Sequence, residues 1–130
     1  MTVASDNAFA AYEQCHIERR GVTAGELVLV EDTVGRHDLI EGDLWGVPYS
    51  TPMQGMIAYK VLVLVGRFLY DHPEIGIDGA GSEVGFIMAR DPDTVIGPDV
   101  AWLRKDRLDR AMREHWVPCP PDFALEQTGP

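Results

Sequence analysis

Two acidic residues in the second half of the chain each lie in a short apolar stretch that begins near a proline. Asp99 follows Pro98 within residues 94–103, whose β-branched and aromatic content is typical of a buried strand. Glu126 ends residues 121–126, which repeat the order of proline, acid, short apolar run and acid. Neighbouring strands carrying these two acids would bring together the hard oxygen ligands that a magnesium ion accepts. The alternative is that Asp99 caps a turn and Glu126 is solvated.

The composition predicts one globular domain spanning residues 1–130. Of the 130 residues, 45% are hydrophobic and 25% are charged, which is ordinary for a domain with its own core. The sequence has no run of about 18 apolar residues that could span a membrane. Its N-terminus also lacks the basic start and apolar block of a signal peptide, so we expect a cytoplasmic protein. Cys15 and Cys119 lack metal-type spacing and are expected to be free thiols.

The net charge of −10 disfavours nucleic-acid binding through a broad positive surface. Residues 104–116 are the local exception, because they carry five basic and three acidic residues and are predicted to be helical. Arg104, Lys105 and Arg107 are therefore candidate nucleic-acid-binding residues. The competing interpretation is a solvated helix stabilised by ion pairs.

The N-terminal third predicts two helices and a hairpin. Residues 1–21 are predicted to be helical as far as Gly21, and residues 1–22 are predicted to be an N-terminal extension of the domain. Thr23 and Glu26 have the spacing of a capping box, so 27–30 are predicted as helix, although Leu-Val-Leu-Val also suits a strand. Residues 37–45 predict a hairpin that turns at Glu41 and Gly42 and whose acids face solvent.

A long helix is predicted from Thr51 to about Tyr70. Threonine, proline and glutamine at residues 51, 52 and 54 form a helix start signal. The helix is apolar nearly all round, so we expect it to be buried against a sheet. Its predicted core stripe comprises Met53, Ile57, Val61, Leu64, Val65 and Phe68.

The rest of the chain predicts short strands. These cover roughly residues 75–78, 83–89 and 95–103, and a last strand follows the prolines at 118, 120 and 121. The predicted elements are thus a mixture of helices and short strands. The sequence contains no phosphate-binding glycine loop and no nucleophile elbow.

The order of these motifs resembles that of the bacterial Uma-type restriction-endonuclease family, a branch of the PD-(D/E)XK nuclease superfamily. Residues 37–44 are similar to its hairpin motif, and residues 93–103 to its Val-x-x-Pro-Asp-Val-Ala strand. Residues 121–126 are similar to its Pro-Asp-Leu-Val-Val-Glu strand. The resemblance runs from about residue 23 to residue 130.

The resemblance implies an α/β (α+β) fold class, with a restriction-endonuclease-like mixed sheet and a long packed helix. It also implies hydrolysis of DNA phosphodiesters assisted by Mg²⁺ or Mn²⁺. Asp99 and Glu126 match the metal-binding and catalytic acids of the family, and Glu83 is a further metal candidate. The alternative is a non-catalytic homologue that binds DNA or a partner, or that self-associates.

The chain departs from the family pattern in three ways. The lysine that normally follows the second acid is replaced by Thr128, and Gln54 stands where relatives commonly have histidine. Relatives continue through a further helix and strand beyond the position of Pro130. Without those elements a sheet edge and apolar surface would be exposed, so we expect the chain to form a homo-oligomer.

Overall fold

The chain forms two antiparallel sheets and three helices in a computed structural model that describes residues 17–34, 36–79 and 83–127. This bears out the predicted mixture of helix and strand. The named strand ladders are all antiparallel, however, so the expectation of a mixed sheet is not met within the described residues. The helices are α1 (Ala24–Val34), α2 (Pro52–Asp71) and α3 (Lys105–Ala111), with a 3₁₀ turn at Pro73–Ile75. The strands are β1 (Ile17–Arg19), β2 (His37–Ile40), β3 (Asp43–Gly46), β4 (Ile77–Gly79), β5 (Phe86–Ala89), β6 (Thr94–Ile96), β7 (Val100–Arg104) and β8 (Phe123–Leu125).

The first sheet has the strand order β1-β3-β2-β6-β5. Its centre is the β2–β3 hairpin, which turns at Glu41 and Gly42 as predicted, with φ angles of 50° and 82°. Glycine tolerates such an angle without steric cost, which suits this turn. The expected helix over residues 1–21 is wrong at Ile17–Arg19, because these residues pair with β3; the remainder of that prediction lies outside the described residues.

Helix α1 covers one face of the first sheet. The predicted cap is present, since the Glu26 amide donates to Thr23 Oγ1 over 3.2 Å. A second cap comes from Asp93, whose Oδ2 accepts from the Ala24 amide at 2.9 Å. That hydrogen bond is the main reason why the pKa of Asp93 is lowered, against the opposing effect of burial. The helix is therefore tied to the loop before β6 as well as to the core beneath it. The core residues on this side are Val22, Ala24, Leu27, Leu39, Leu44, Ile87 and Val95.

The second sheet has the order β4-β7-β8, and β7 is its buried centre. Residues 95–103 were predicted as one strand, but Gly97-Pro98-Asp99 separates β6 in the first sheet from β7 in the second. The missing proline N–H and the small glycine favour a break at this point. Helix α3 packs beside β7 and ends at Ala111, which is earlier than predicted. The second core comprises Phe86, Ala101, Leu103, Ala111 and Val117.

Helix α2 has the predicted bounds and a complete capping box between Thr51 and Gln54. Its predicted burial is wrong, because none of its residues is buried. The helix lies against β4, a three-residue edge strand that is too short to cover it. One stripe of α2 is half-buried, and it consists of Gln54, Ala58, Val61, Leu62, Val65, Gly66 and Leu69.

Gly85 lets the Trp116 ring lie against the backbone just before β5, and its replacement by alanine should destabilise the fold. A Cβ atom there would lie 2.8 Å from Cζ3 of Trp116, whose indole donates to the Ala24 carbonyl over 3.0 Å. Since that ring is fixed in place, we expect Gly85→Ala to lower the free energy of unfolding by about 1–3 kcal/mol. Urea denaturation followed by circular dichroism would measure this loss.

Gly66→Ala is the matched control for that substitution. Nothing lies within 4 Å of a Cβ built at Gly66, which is inside a helix. Alanine at this position should therefore raise stability by about 0.5–1 kcal/mol. Equal effects of the two substitutions would contradict the proposed clash with Trp116.

Candidate functional site

The pairing of β7 with β8 places Asp99 beside Glu126. Val100 is opposite Leu125 in this antiparallel ladder. Asp99 immediately precedes the first residue of that pair, and Glu126 immediately follows the second. The two predicted acids therefore meet at the same end of the second sheet, as neighbouring strands would require.

Backbone hydrogen bonds hold both carboxylates in position. The Asp99 amide donates to Glu126 Oε2 over 3.1 Å. The Gln127 amide donates to Asp99 Oδ2 over 2.7 Å. Across residues 17–34, 36–79 and 83–127, no hydrogen bond uses Asp99 Oδ1 or Glu126 Oε1. Each carboxylate thus keeps one oxygen for another ligand.

The backbone before Asp99 is fixed by an arginine and an acid from the first sheet. Arg36 Nη2 donates to the Gly97 carbonyl over 2.6 Å, and the Gly97 amide donates to Asp38 Oδ1 over 3.3 Å. Arg36 and Asp38 therefore hold both polar groups of Gly97, two residues before Asp99. Asp38 was expected to face solvent, but its side chain is only 22% exposed.

Glu83 contacts the same backbone segment and the same arginine. Its amide donates to the Pro98 carbonyl over 3.1 Å, and its Oε1 atom lies 3.0 Å from Arg36 Nη1. Its φ of 64° is in the left-handed region, which is sterically costly for a residue with a Cβ. Glu83 thus reaches the site, but its carboxylate is engaged with Arg36.

A cavity of about 280 Å³ lies between the first half of α2 and the start of β7. Its polar lining includes Ser50, Gln54, Glu83 and Asp99. Gln127 Nε2 donates to the Gln54 carbonyl over 2.7 Å and so connects the strand of Glu126 to the helix. The carboxylates of Glu83 and Asp99 and the side-chain amide of Gln54 therefore line a cavity large enough for a small ligand and several waters.

The three predicted DNA-binding residues lie at the other end of β7. Arg104 is five residues beyond Asp99, which corresponds to about 16 Å along a strand. Arg104 and Arg107 form ion pairs with Asp106 and Asp122 respectively. The structure does not bring Arg104, Lys105 and Arg107 to the acid pair, and the ion pairs agree with the solvated-helix interpretation.

The surroundings of Glu126 raise its pKa. Loss of hydration is the largest cause, and the negative charges of Asp99 and Asp38 add to it. The Asp99 amide and the positive charge of Arg36 oppose the shift. The ionised form of Glu126 is therefore less favourable in this site than in water.

Replacing Glu126 by glutamine should stabilise the protein at neutral pH. The pKa of Glu126 is higher in the folded protein than its usual value of 4.5. Protonated Glu126 therefore stabilises the fold fully below pH 4.5, and this stabilisation is lost as the pH rises through the pKa of the folded state. Since water reaches the carboxylate and screens it, we expect Glu126→Gln to raise the melting temperature at pH 7 by only about 1–2 °C.

The pH dependence distinguishes this cause from a general effect of the substitution. The stabilisation by Glu126→Gln should disappear below about pH 4, where the native carboxyl is protonated as well. The exposed Glu114→Gln variant should show no stabilisation at either pH. Stabilisation that persists at low pH would exclude the electrostatic cause.

The donor set fits a weakly held magnesium ion better than a closed metal site. In the part of the chain that the structure describes, no group of three or more histidine, cysteine or acidic residues is arranged to hold a metal. Magnesium, however, commonly binds through one or two carboxylates and keeps several waters. Asp99 Oδ1 and Glu126 Oε1 are the carboxylate oxygens of the pair that could serve such an ion.

The sequence predicts the acid pair but not the residues that fix its backbone. Arg36 and Asp38 lie about sixty residues before Gly97, so their contacts depend on the pairing of β2 with β6. The basic residue immediately before the hairpin was the only local signal.

No family model, curated protein or solved structure matches this chain.

Proposed function

We propose that this chain is a magnesium-dependent hydrolase of DNA phosphodiesters with a restriction-endonuclease-like core. The observation that carries the proposal is the convergence of Asp99 and Glu126 at one end of adjacent strands, each with a carboxylate oxygen left for a ligand. The same two residues are the acids that the sequence resemblance to the Uma-type family selects. The geometry and the resemblance thus favour the same pair.

Asp99 and Glu126 would hold the metal ion, and the cavity beside Asp99 would admit a phosphate group. When bound, a magnesium ion stabilises negative charge on a phosphodiester and lowers the pKa of an attacking water. The chain's own contribution is to fix the carboxylates through backbone amides and to provide a cavity beneath α2 beside Asp99. Glu83 is the weaker ligand candidate, because Arg36 already pairs with its carboxylate.

Arg36 supports the proposal by providing a positive charge near the acid pair, in a sequence that lacks the family's lysine after Glu126. Its side chain is 26% exposed, and its charge acts on Glu126. A fixed cation near the acids can orient a phosphate through paired N–H groups. In this proposal Arg36 has two roles, since it also holds the Gly97 carbonyl and thereby positions Asp99.

A second candidate function is a non-catalytic module of the same fold. The Arg36–Glu83 ion pair favours this alternative, because a protein cation already neutralises one acid of the site. The basic segment at 104–107 would then be the DNA contact. Such binding should need no metal and should weaken steeply as the salt concentration rises.

The decisive experiment combines metal binding with nicking of supercoiled plasmid by the purified chain. Magnesium or manganese at ten times its dissociation constant should stabilise the fold by about 1.4 kcal/mol, and nicking should require the ion and stop on addition of a chelator. Metal binding without nicking would reject catalysis but keep the site. Absence of both in a folded protein would reject the metal site and leave the non-catalytic module.

A further inference from the structure

The cavity beside Asp99 continues away from the acid pair as an apolar space beneath helix α2. Its helical lining residues recur at intervals of three and four, so they share one face of α2. The apolar lining consists of Gly55, Ala58, Tyr59 and Leu62 of α2 and Val100 of β7. Leu62 is eight residues beyond Gln54, which corresponds to about 12 Å along the helix. The cavity therefore has a polar end at Gln54 and Asp99 and an apolar end farther along α2.

Two polar side chains of the cavity keep hydrogen-bonding capacity for a ligand. Gln54 Oε1 accepts from the Thr51 amide at 2.9 Å, which fixes the orientation of the side-chain amide. Within residues 17–34, 36–79 and 83–127, Gln54 Nε2 donates to no acceptor. The Glu83 carboxylate pairs with Arg36 through Oε1, and its second oxygen can still accept a hydrogen bond. The cavity thus offers an N–H donor and a carboxylate acceptor.

The lining suits a neutral planar group better than an anion. Glu83 and Asp99 are the charged side chains among the described residues that line the cavity, and both are acidic. A neutral group would bury apolar surface against Ala58 and Leu62. Tyr59 adds an aromatic ring, and its exposure of 66% keeps it within reach of a ligand from solvent. The volume of about 280 Å³ is close to the lower limit of about 300 Å³ for small-molecule pockets, so it suits one aromatic heterocycle.

A nucleobase of a DNA strand has this chemistry. Its faces are aromatic and stack on aromatic side chains with little dependence on sequence. Its edges carry amino groups and acceptor atoms, which pair with carboxylate and amide side chains such as those of Glu83 and Gln54. When a phosphate lies beside Asp99, the base of the same nucleotide can turn into the apolar end, because one sugar joins the two groups.

A base within a duplex cannot enter this cavity, because pairing and stacking hold it inside the double helix. The charges of the protein also disfavour a duplex. The net charge is −10, and the basic residues Arg104 and Arg107 are engaged in ion pairs at the far end of β7. Binding through a stacked base needs fewer phosphate contacts than binding along a duplex. The cavity and the charges therefore favour an unpaired strand.

We propose that the cavity beneath α2 binds one unpaired nucleobase and that single-stranded DNA is the substrate class of this site. The proposal rests on the proposed hydrolysis, because Asp99 and Glu126 supply the position of the phosphate. Supercoiled plasmid remains a substrate, since negative supercoiling favours local opening of the duplex.

Fluorescence anisotropy of the full chain in the presence of a chelator tests the base site separately from hydrolysis. A labelled single strand of about 12 nucleotides should bind about tenfold more tightly than the same sequence in a duplex, or than a strand of abasic sites of equal length. Tyr59→Ala should weaken binding of the single strand by about tenfold, and Tyr59→Phe should retain it. Tyr70→Ala is the matched control, because Tyr70 is 86% exposed on α2 and does not line the cavity.

A second variant fills the cavity and leaves Tyr59 in place. Ala58→Phe should weaken binding of the single strand as strongly as Tyr59→Ala, and circular dichroism should show that both variants are folded. Equal affinity for the single strand, the duplex and the abasic strand would overturn the base site. Wild-type affinity of both variants would overturn it as well.

Addition of magnesium separates the base site from the proposed hydrolysis. Binding of the single strand that depends on Tyr59, without cleavage, would keep the base site and reject hydrolysis. Cleavage of single strand and duplex at equal rates, unaffected by Tyr59→Ala, would keep hydrolysis and reject the base site.

Discussion

Replacing Asp99 with asparagine should reduce magnesium-dependent nicking of supercoiled DNA by at least about a hundredfold. The substitution keeps the size of the side chain and an oxygen that can accept from the Gln127 amide. It removes the negative charge that would hold the ion. Since metal-assisted charge stabilisation amounts to several kcal/mol, and each 1.4 kcal/mol is tenfold in rate, a hundredfold loss is the minimum expected.

Magnesium should also no longer stabilise the Asp99→Asn variant against unfolding. This result would show that the variant fails to bind the metal rather than failing in cleavage after the metal has bound. Thermal unfolding with and without the ion measures this directly. Asp109→Asn, which changes an exposed acid on α3, is the matched control and should keep both activities. Nicking by Asp99→Asn at the wild-type rate would remove Asp99 from the site, whatever the fold.

Replacing Trp102 with alanine should cost about 3–5 kcal/mol of unfolding free energy. The side chain is completely buried at the centre of β7. Its ring is stacked on Phe123 of β8, with centroids 4.2 Å apart. Because natural domains are stable by only about 5–15 kcal/mol, much of the stability of the fold depends on this one side chain. Urea denaturation followed by circular dichroism would measure the loss.

Phenylalanine at the same position provides the control. The indole Nε1 of Trp102 has no hydrogen-bond partner among the described residues, so its removal costs nothing in hydrogen bonding. Trp102→Phe should keep the stack on Phe123 and stay within about 1.5 kcal/mol of the native protein. A loss below 1 kcal/mol for Trp102→Ala would show that the burial of Trp102 against Phe123 contributes little to the stability of the fold.

The local elements of this fold could be predicted from the sequence because their signals are local. The capping residue Thr51 fixes the start of α2, and Glu41 with Gly42 fixes the hairpin turn. The acid pair was predicted because proline and acid recur at the edges of two strands. In these cases the residues that set the structure lie within a few positions of one another.

The errors concern contacts between distant parts of the chain. Apolar periodicity predicted that α2 would be buried, but periodicity cannot tell whether a surface exists to cover the helix. Residues 95–103 were predicted as one strand, because β-branched residues flank Gly97 on both sides. The transfer of the chain to a second sheet at that point depends on contacts with Arg36 and Asp38, which are far away in the sequence.

The strand order of the first sheet has a consequence for folding kinetics. Leu39 of β2 pairs with Val95 of β6. The more than fifty residues between them must therefore form a closed loop before these two strands can meet. Loop closure over such a distance slows folding. Helix α2 lies inside that loop, so its apolar residues leave the ribosome before the sheet is complete. The nascent chain should therefore depend on chaperones or on early pairing between chains to avoid aggregation.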